Sequence, residues 1–343
     1  MKIGFFFNFE KSIGGGHFWR CLNIVKKFKK SKMKYYFFSN ITDRYFLNLL
    51  KRDNINYIKI SGKNNKQVLR KLKKKIKLYK IPNFVSDSYK VNYFFEKELK
   101  KVVRKLIVID DYVHRNHFCD LLINNNFLSP HSKAMIKKKN PKINLALGIN
   151  YNTFNNNFFF KKNYSTKKNI NNIFVFFGSS ISAELFKVFK IVRFFPEIKF
   201  HMIIGNFNKQ FSKFKILERK NINTNVYYKL KNEQVLDLIN KCDLAIGAGG
   251  VNMLERIYLN LPSLVTCIAN NQKSSINYLS KKKLIIYLGP CKKLTSERLK
   301  NILIRLINNK KIFKSFRKKT LKTCLKLNSN NLLIKKLNSI LVR

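Results

Sequence analysis

The sequence predicts an α/β fold of two domains, each built on a parallel sheet, and three observations carry that prediction. Short apolar runs rich in β-formers alternate with stretches whose apolar residues recur at helical spacing, the pattern of βαβ units. The alternation breaks once, across a polar Asn/Lys-rich stretch, and then restarts. At 343 residues the chain also has the length of two domains of about 100 to 200 residues, each able to bury its own core.

The first strand is KIGFFFNF. It runs into Gly14-Gly15-Gly16 and then HFWRCLNIVKKFKK, where Phe18, Cys21, Leu22, Val25 and Phe28 mark the buried stripe of a helix. KYYFFSN (34–40), NFVSD (83–87), a helix over 93–104, KLIVIDD (105–111) and CDLLINN (119–125) continue the pattern. A first domain is therefore expected over 1–150, with a linker over the aperiodic stretch 151–172. The second domain, 173–325, repeats the scheme with strands IFVFFGSS (173–180), KFHMIIGN (199–206), NVYYKL (225–230), DLAIGAGG (243–250), SLVTCIA (263–269) and LIIYLG (284–289). Helices are expected over 183–194, 233–241 and 253–260, with another after 269. A basic helical run begins at Ser296, and 326–343 is assigned as a helical tail. Ligands of open parallel sheets bind beyond the carboxyl ends of the strands, so the two domains are expected to face an interdomain cleft.

Composition narrows the function class. The 71 Lys+Arg against 17 Asp+Glu give a net charge of +54, which alone would suggest a nucleic-acid or anionic-membrane partner. Lys predominates over Arg, however, while Gly (12), Pro (6) and Trp (1) are scarce, as AT-rich codons would impose on tolerant surfaces. Lys runs such as RKLKKKIKLYK fall on predicted helices rather than interleaving with aromatics in a groove, so no nucleic-acid partner is expected. A hydrophobic content of 45% excludes disorder. No apolar run approaches the roughly 20 residues of a membrane span, and the run at 3–9 is too short for a signal peptide, so a cytoplasmic protein without membrane insertion is expected. Six scattered cysteines with no CxxC pair read as reduced core residues. A monomer is expected.

Three constellations carry chemistry. In the first, Gly15 and Gly16 allow close approach of a ligand, and His17 stands at a helix start, where unpaired N–H groups bind anions and disfavour imidazolium. Arg20, one turn on, would share that face and meet a phosphate or carboxylate; the alternative is a glycine turn with a capping histidine. In the second, AIGAGGVNMLERIYLNLP, a strand delivers Gly249 and Gly250 into a helix, an arrangement that cradles phosphate. There Glu255 would accept two hydrogen bonds from a ribose diol, the alternative being a solvated ion pair. The third gathers Asp110, Asp111, His114, His117 and Asp120 in IDDYVHRNHFCD, near Asp87 and Tyr89 of DSY. Zinc or manganese would need three or four of these to converge; loop-organising hydrogen bonds are the favoured reading, with sugar binding between the two.

At these residues the sequence resembles the UDP-sugar hydrolases of the pseudaminic acid pathway, relatives of the lipid II-forming N-acetylglucosaminyltransferase that share its GT-B fold of two Rossmann-like domains. The matching segments, GGGHFWRCLNI, DSY, IDDYVHRNHFCDLLINNN and IGAGGVNMLERIYLNLPSLVTCIANNQ, agree with the family in order and spacing over about residues 1 to 290. The resemblance implies a metal-independent inverting hydrolysis that releases UDP from UDP-2,4-diacetamido-2,4,6-trideoxy-β-L-altropyranose with water, without a cofactor. It further implies His17 as general base, Gly249, Gly250 and the following helix start on the diphosphate, and Glu255 on the ribose. Asn271 and Gln272 would contact sugar or phosphate, and Asp87 and Tyr89 would belong to the active-site segment. The sequence departs from the family form at FFGSSIS, at Asn252 and Leu254, and at Asn155; Asn252 would still line the nucleotide pocket.

The nearest rival is a UDP-sugar glycosyltransferase of the same fold with a hydroxyl acceptor. An apolar acceptor-docking patch in the N-terminal domain would favour it, and none is evident in the sequence.

Overall fold

The computed structural model describes residues 1–9, 15–28, 33–154, 169–178, 183–205, 208, 210–327 and 332–341. These form two compact units. Residues 1–9, 15–154 and 332–341 belong to the first unit, and 169–327 to the second.

The first unit is built on strands β1 (Lys2–Phe6), β2 (Lys34–Ser39), β3 (Asn56–Lys59), β4 (Asn83–Ser86), β5 (Lys105–Ile109), β6 (Leu121–Asn124) and β7 (Asn144–Leu147). All pair in parallel, in the order β3-β2-β1-β4-β5-β6-β7. Helices α1 (Gly16–Phe28), α2 (Arg44–Arg52), α3 (Asn65–Leu78), α4 (Tyr93–Lys100) and α5 (Pro130–Lys139) connect them. Short polar side chains start several of these: Asp43, Asn64, Asn92 and Ser129 each accept from a backbone N–H in the first turn that follows. On one sheet face Phe6, Phe38, Phe84 and Leu106 are buried against α3 and α4, with Phe95 of α4 among them. Phe5, Phe7, Phe18, Phe37 and Phe46 stack edge-on or tilted in a second cluster that anchors α1, each such ring contributing about 1.5 to 3 kcal/mol by burial.

The predicted helix over 93–104 ends at Lys100. Arg104 N and Lys105 N both donate to Pro82 O, at 2.7 and 3.1 Å, so the backbone is already aligned beside β4. Helix 332–341 packs on α1 and on the 3₁₀ turn Ile149–Tyr151, with Arg104 Nη2 donating to Leu341 O at 2.9 Å.

The second unit orders its strands β10-β9-β8-β11-β12-β13, again all parallel. They are β8 (Asn172–Phe176), β9 (Lys199–Ile204), β10 (Thr224–Tyr228), β11 (Leu244–Ala248), β12 (Ser263–Cys267) and β13 (Ile286–Pro290). Ile173, Val175, Met202, Ile246 and Leu264 form its core with helices 183–192, 296–308 and 310–326. No helix among the described residues is long and apolar enough to cross a membrane. Most of the expected linker lies outside the described residues.

Candidate functional site

In the first sheet β1 and β4 lie side by side although β2 and β3 separate them in sequence, and ligand sites of such sheets sit at this switch point. The residues that follow β1, β4, β5 and β6 converge there. His17 and Arg20 stand in the first turns of α1, Asp87 and Tyr89 follow β4, Asp111 follows β5 and Asn126 follows β6. Asp87 N continues the ladder to Phe6 O at 2.9 Å, which fixes the carboxylate over the sheet edge.

Asp87 is the hub. His17 Nδ1 lies 2.7 Å from Asp87 Oδ1, and Arg20 donates through Nε to Oδ2 at 2.7 Å and through Nη2 to Oδ1. Arg20 Nη1 donates to both oxygens of Asp111, at 3.0 and 3.1 Å. Asp111 also accepts from Tyr89 Oη and, at 2.8 Å, from Asn126 Nδ2. The Tyr89 ring meets His17 edge-on, centroids 4.6 Å apart.

Burial works against ionising Asp87, but the Arg20 charge and hydrogen bonds from His17 and Arg20 outweigh it and hold its carboxyl at about 2. Asp111 is likewise lowered, Arg20 and Tyr89 prevailing over burial. An ionised carboxylate only accepts, so His17 Nδ1 must carry the proton toward Asp87. The 3.2 Å approach of Arg20 Nη2 to Nδ1 follows from both groups converging on one oxygen. In the neutral ring Nε2 then holds the lone pair, and it has no protein hydrogen-bond partner among the described residues. This is the wiring of a histidine base oriented by a carboxylate.

The 110–120 segment does not converge. Asp111 belongs to the His17 cluster, while Asp120 accepts from Lys100 Nζ at 2.6 Å and Leu106 N at 2.7 Å. His114 is exposed. His117 is buried between Glu96 (Nδ1 to Oε1, 2.8 Å) and Asp110 (Nε2 to Oδ2, 3.3 Å). Burial alone would lower its pKa, but the two carboxylates raise it to about 9. Among the described residues no three His, Cys, Asp or Glu side chains are grouped to hold a metal ion.

In the second unit β8 and β11 are the neighbours at the switch point. β11 delivers Gly249 and Gly250 into helix 251–258, with Gly250 at its N-cap. A Cβ on Gly249 would lie 2.3 Å from Ile276 Cδ1, so any side chain there would force Ile276 to move. Gln272 stands beside Gly250 and accepts from Ile268 N at 3.0 Å. Asn271 precedes it in the 3₁₀ turn Asn270–Gln272. Asn252 Nδ2 donates to Glu255 Oε2 at 3.0 Å, and burial pushes the Glu255 carboxyl up to about 7 despite Asn252 and Arg256. The expected solvated or diol-holding Glu255 is thus tied to Asn252 here.

Within each unit the structure groups the residues read from sequence: His17, Arg20, Asp87 and Tyr89 in one, Gly249, Gly250, Asn252, Glu255 and Gln272 in the other. Gly15 and Gly16 lead into α1, and a Cβ on Gly16 would meet nothing within 4 Å. Gly14, Asn155 and residues 179–182 of FFGSSIS lie outside the described residues. Sequence reasoning missed Asn126, Glu96 and Arg256. One signal was present: only 13 of the 71 basic residues are Arg, and three of those, Arg20, Arg256 and Arg317, are buried.

No protein-family profile matches the chain. It is 24% identical over 310 residues to an uncharacterized protein of Methanocaldococcus jannaschii, covering 85% of this chain and 61% of that one. The chain therefore spans about three fifths of the length of this curated relative. Among solved structures it is similar to MurG of Acinetobacter baumannii, with a TM-score of 0.68, 12% identity and 100% of both chains covered. It is also similar to the calicheamicin glycosyltransferase CalG4, with a TM-score of 0.67, 10% identity and 100% and 98% covered. UDP-GlcNAc 2-epimerase of Neisseria meningitidis, bound to UDP-GlcNAc, gives a TM-score of 0.60 at 12% identity, with 99% and 100% covered. The chain has the GT-B architecture, with seven- and six-stranded parallel sheets.

Proposed function

We propose that this protein is an enzyme acting on a UDP-sugar, and specifically a metal-independent inverting hydrolase that releases UDP from UDP-2,4-diacetamido-2,4,6-trideoxy-β-L-altropyranose in nonulosonic (pseudaminic) acid biosynthesis. The observation that carries this reading is the buried Asp87–His17 pair, with Nδ1 committed to the carboxylate at 2.7 Å and Nε2 left to accept a proton. The first unit supplies the base and the second grips the nucleotide. Water loses a proton to His17 Nε2 as its oxygen bonds to the anomeric carbon. The bond from that carbon to the β-phosphate oxygen breaks, its electron pair leaves with UDP, and His17 passes the proton to solvent. Backbone N–H groups at the start of helix 251–258 stabilise the leaving diphosphate. A UDP-sugar seated in a structurally similar epimerase supports the substrate class.

A hydroxyl-acceptor transferase is the second reading. It is favoured by a feature not evident in the sequence: Tyr93, Phe94 and Phe118 of the first unit are 45%, 66% and 37% exposed, with the Tyr93 and Phe118 rings 5.6 Å apart. The test is to incubate the protein with the UDP-altropyranose derivative in H₂¹⁸O and EDTA, following UDP by NMR. Hydrolysis places ¹⁸O in the sugar without any acceptor. UDP release only when an acceptor is added replaces the hydrolase with the transferase, and no release under either condition removes both.

A further inference from the structure

Arg256 lies fully buried beneath the Gly249–Gly250 turn. Its Nη2 donates to Ala248 O at 2.8 Å and its Nε approaches Asn252 O at 3.3 Å, so the guanidinium spans the turn from the end of β11 to the start of helix 251–258. Nη1 has no hydrogen-bond partner among the described residues. It points into the gap between the ends of β11 and β8: a Cβ on Gly247 would stand 2.7 Å from Nη1 and 2.2 Å from Phe176 O. Gly247 and Phe176 are register partners at the switch point. Residue 247 is glycine because the guanidinium and that carbonyl fill the space a side chain would need.

The charge is poorly balanced. Arg256 hydrogen-bonds backbone carbonyls rather than a carboxylate. The carboxylate that acts on it through space, Glu255, is itself driven toward the neutral form, and burial draws the guanidinium down to about 9. Arg20 in the first unit is equally buried but sits between two carboxylates. A buried cation without a counter-ion costs stability, and an apolar residue of similar volume in its place is often neutral or stabilising.

We propose that Arg256 is a positioning residue for an anionic ligand, its buried charge complementing a diphosphate bound over the Gly249–Gly250 turn at the start of helix 251–258. The proposal rests on reading that turn as the nucleotide site, and it adds that the free protein holds a charge which only the bound ligand balances. Ligand preference follows from this. The charge discriminates among uridine, UMP and UDP by their phosphates, leaving the uridine moiety to other contacts.

The test uses the full chain as wild type, Arg256→Met and Arg256→Lys, with uridine and UDP titrated calorimetrically and thermal unfolding followed without ligand. Arg256→Met is expected to weaken UDP by about tenfold or more while uridine changes less than about twofold, a span well below one buried charge contact. The unliganded Arg256→Met protein is expected to melt no lower than wild type, and Arg256→Lys to keep most of the UDP affinity. Equal weakening of uridine and UDP, or an unliganded Arg256→Met protein that melts far lower or does not fold, would show a purely structural strap and overturn the inference. A wild type that binds neither ligand overturns the nucleotide reading as well, so the two failures are distinguishable.

Discussion

Each unit sets a helix start beside the switch point of its parallel sheet, and the two treat charge there in opposite ways. In the first, each charged group is matched: Arg20 lies between Asp87 and Asp111, and Asp87 orients His17. In the second, backbone N–H groups and one buried guanidinium face a turn with little carboxylate to balance them, and Glu255 sits near its titration point. A site that moves a proton needs its base and its orienting carboxylate fixed before substrate arrives, so its polar groups are satisfied within the protein. A site that binds an anion leaves part of its hydrogen-bonding and charge unspent, because the ligand supplies the rest.

The comparison breaks first at His17. His17→Ala is expected to lower kcat about 10²- to 10⁴-fold while leaving UDP affinity measured by calorimetry unchanged. Turnover close to wild type would remove the base assignment. Asp87→Asn tests the orienting half of the pair. An amide cannot balance Arg20 as a carboxylate does, so we expect a kcat loss approaching 10⁴-fold and about 3 to 5 kcal/mol of lost stability in urea unfolding. A variant with normal kcat would mean that His17 needs no carboxylate.

Proton linkage separates the units by pH. His117, raised to about 9, adds stability that is complete below its ordinary value near 6.5 and is lost as pH rises through 9. The unfolding free energy from urea titration should fall over that window by at most about 3 kcal/mol, and His117→Gln should flatten it. The Glu255 carboxyl, raised to about 7, adds stability that is complete below its ordinary value and lost as pH rises through 7. Ribose hydroxyls donate to the carboxylate form, so uridine affinity should rise about tenfold from pH 6 to 8 in wild type and stay flat in Glu255→Gln. A flat wild-type profile would take the ribose away from Glu255.

The strand–glycine–helix units were legible because glycines and β-formers stand out in a Lys-rich chain, and so were the residues just after the strands. Helix 44–52, β3, helix 130–139 and β7 were not. They are short and heavily polar, and β3 and β7 edge the sheet with alternating or weak burial, which blurs the apolar period. Arg256 was passed over because the scarcity of Arg among the basic residues marks only a short set of candidates, and nothing in one sequence says which of the 13 are buried. Asp111 was read as a possible metal ligand, since sequence proximity to His114 and His117 is visible and the spatial approach of Arg20, 91 residues away, is not.

Residues 332–341, which brace the helix carrying His17, are synthesised after the whole of the second unit. Domains generally form as units during translation, the N-terminal one first, but here the first unit is not complete until its C-terminal helix has been made. The described part of the second unit, 169–327, precedes this last helix in the chain, so the first unit waits with one side of α1 uncovered until after it is made. His17 therefore gains its final support only once the segment beyond residue 331 has emerged.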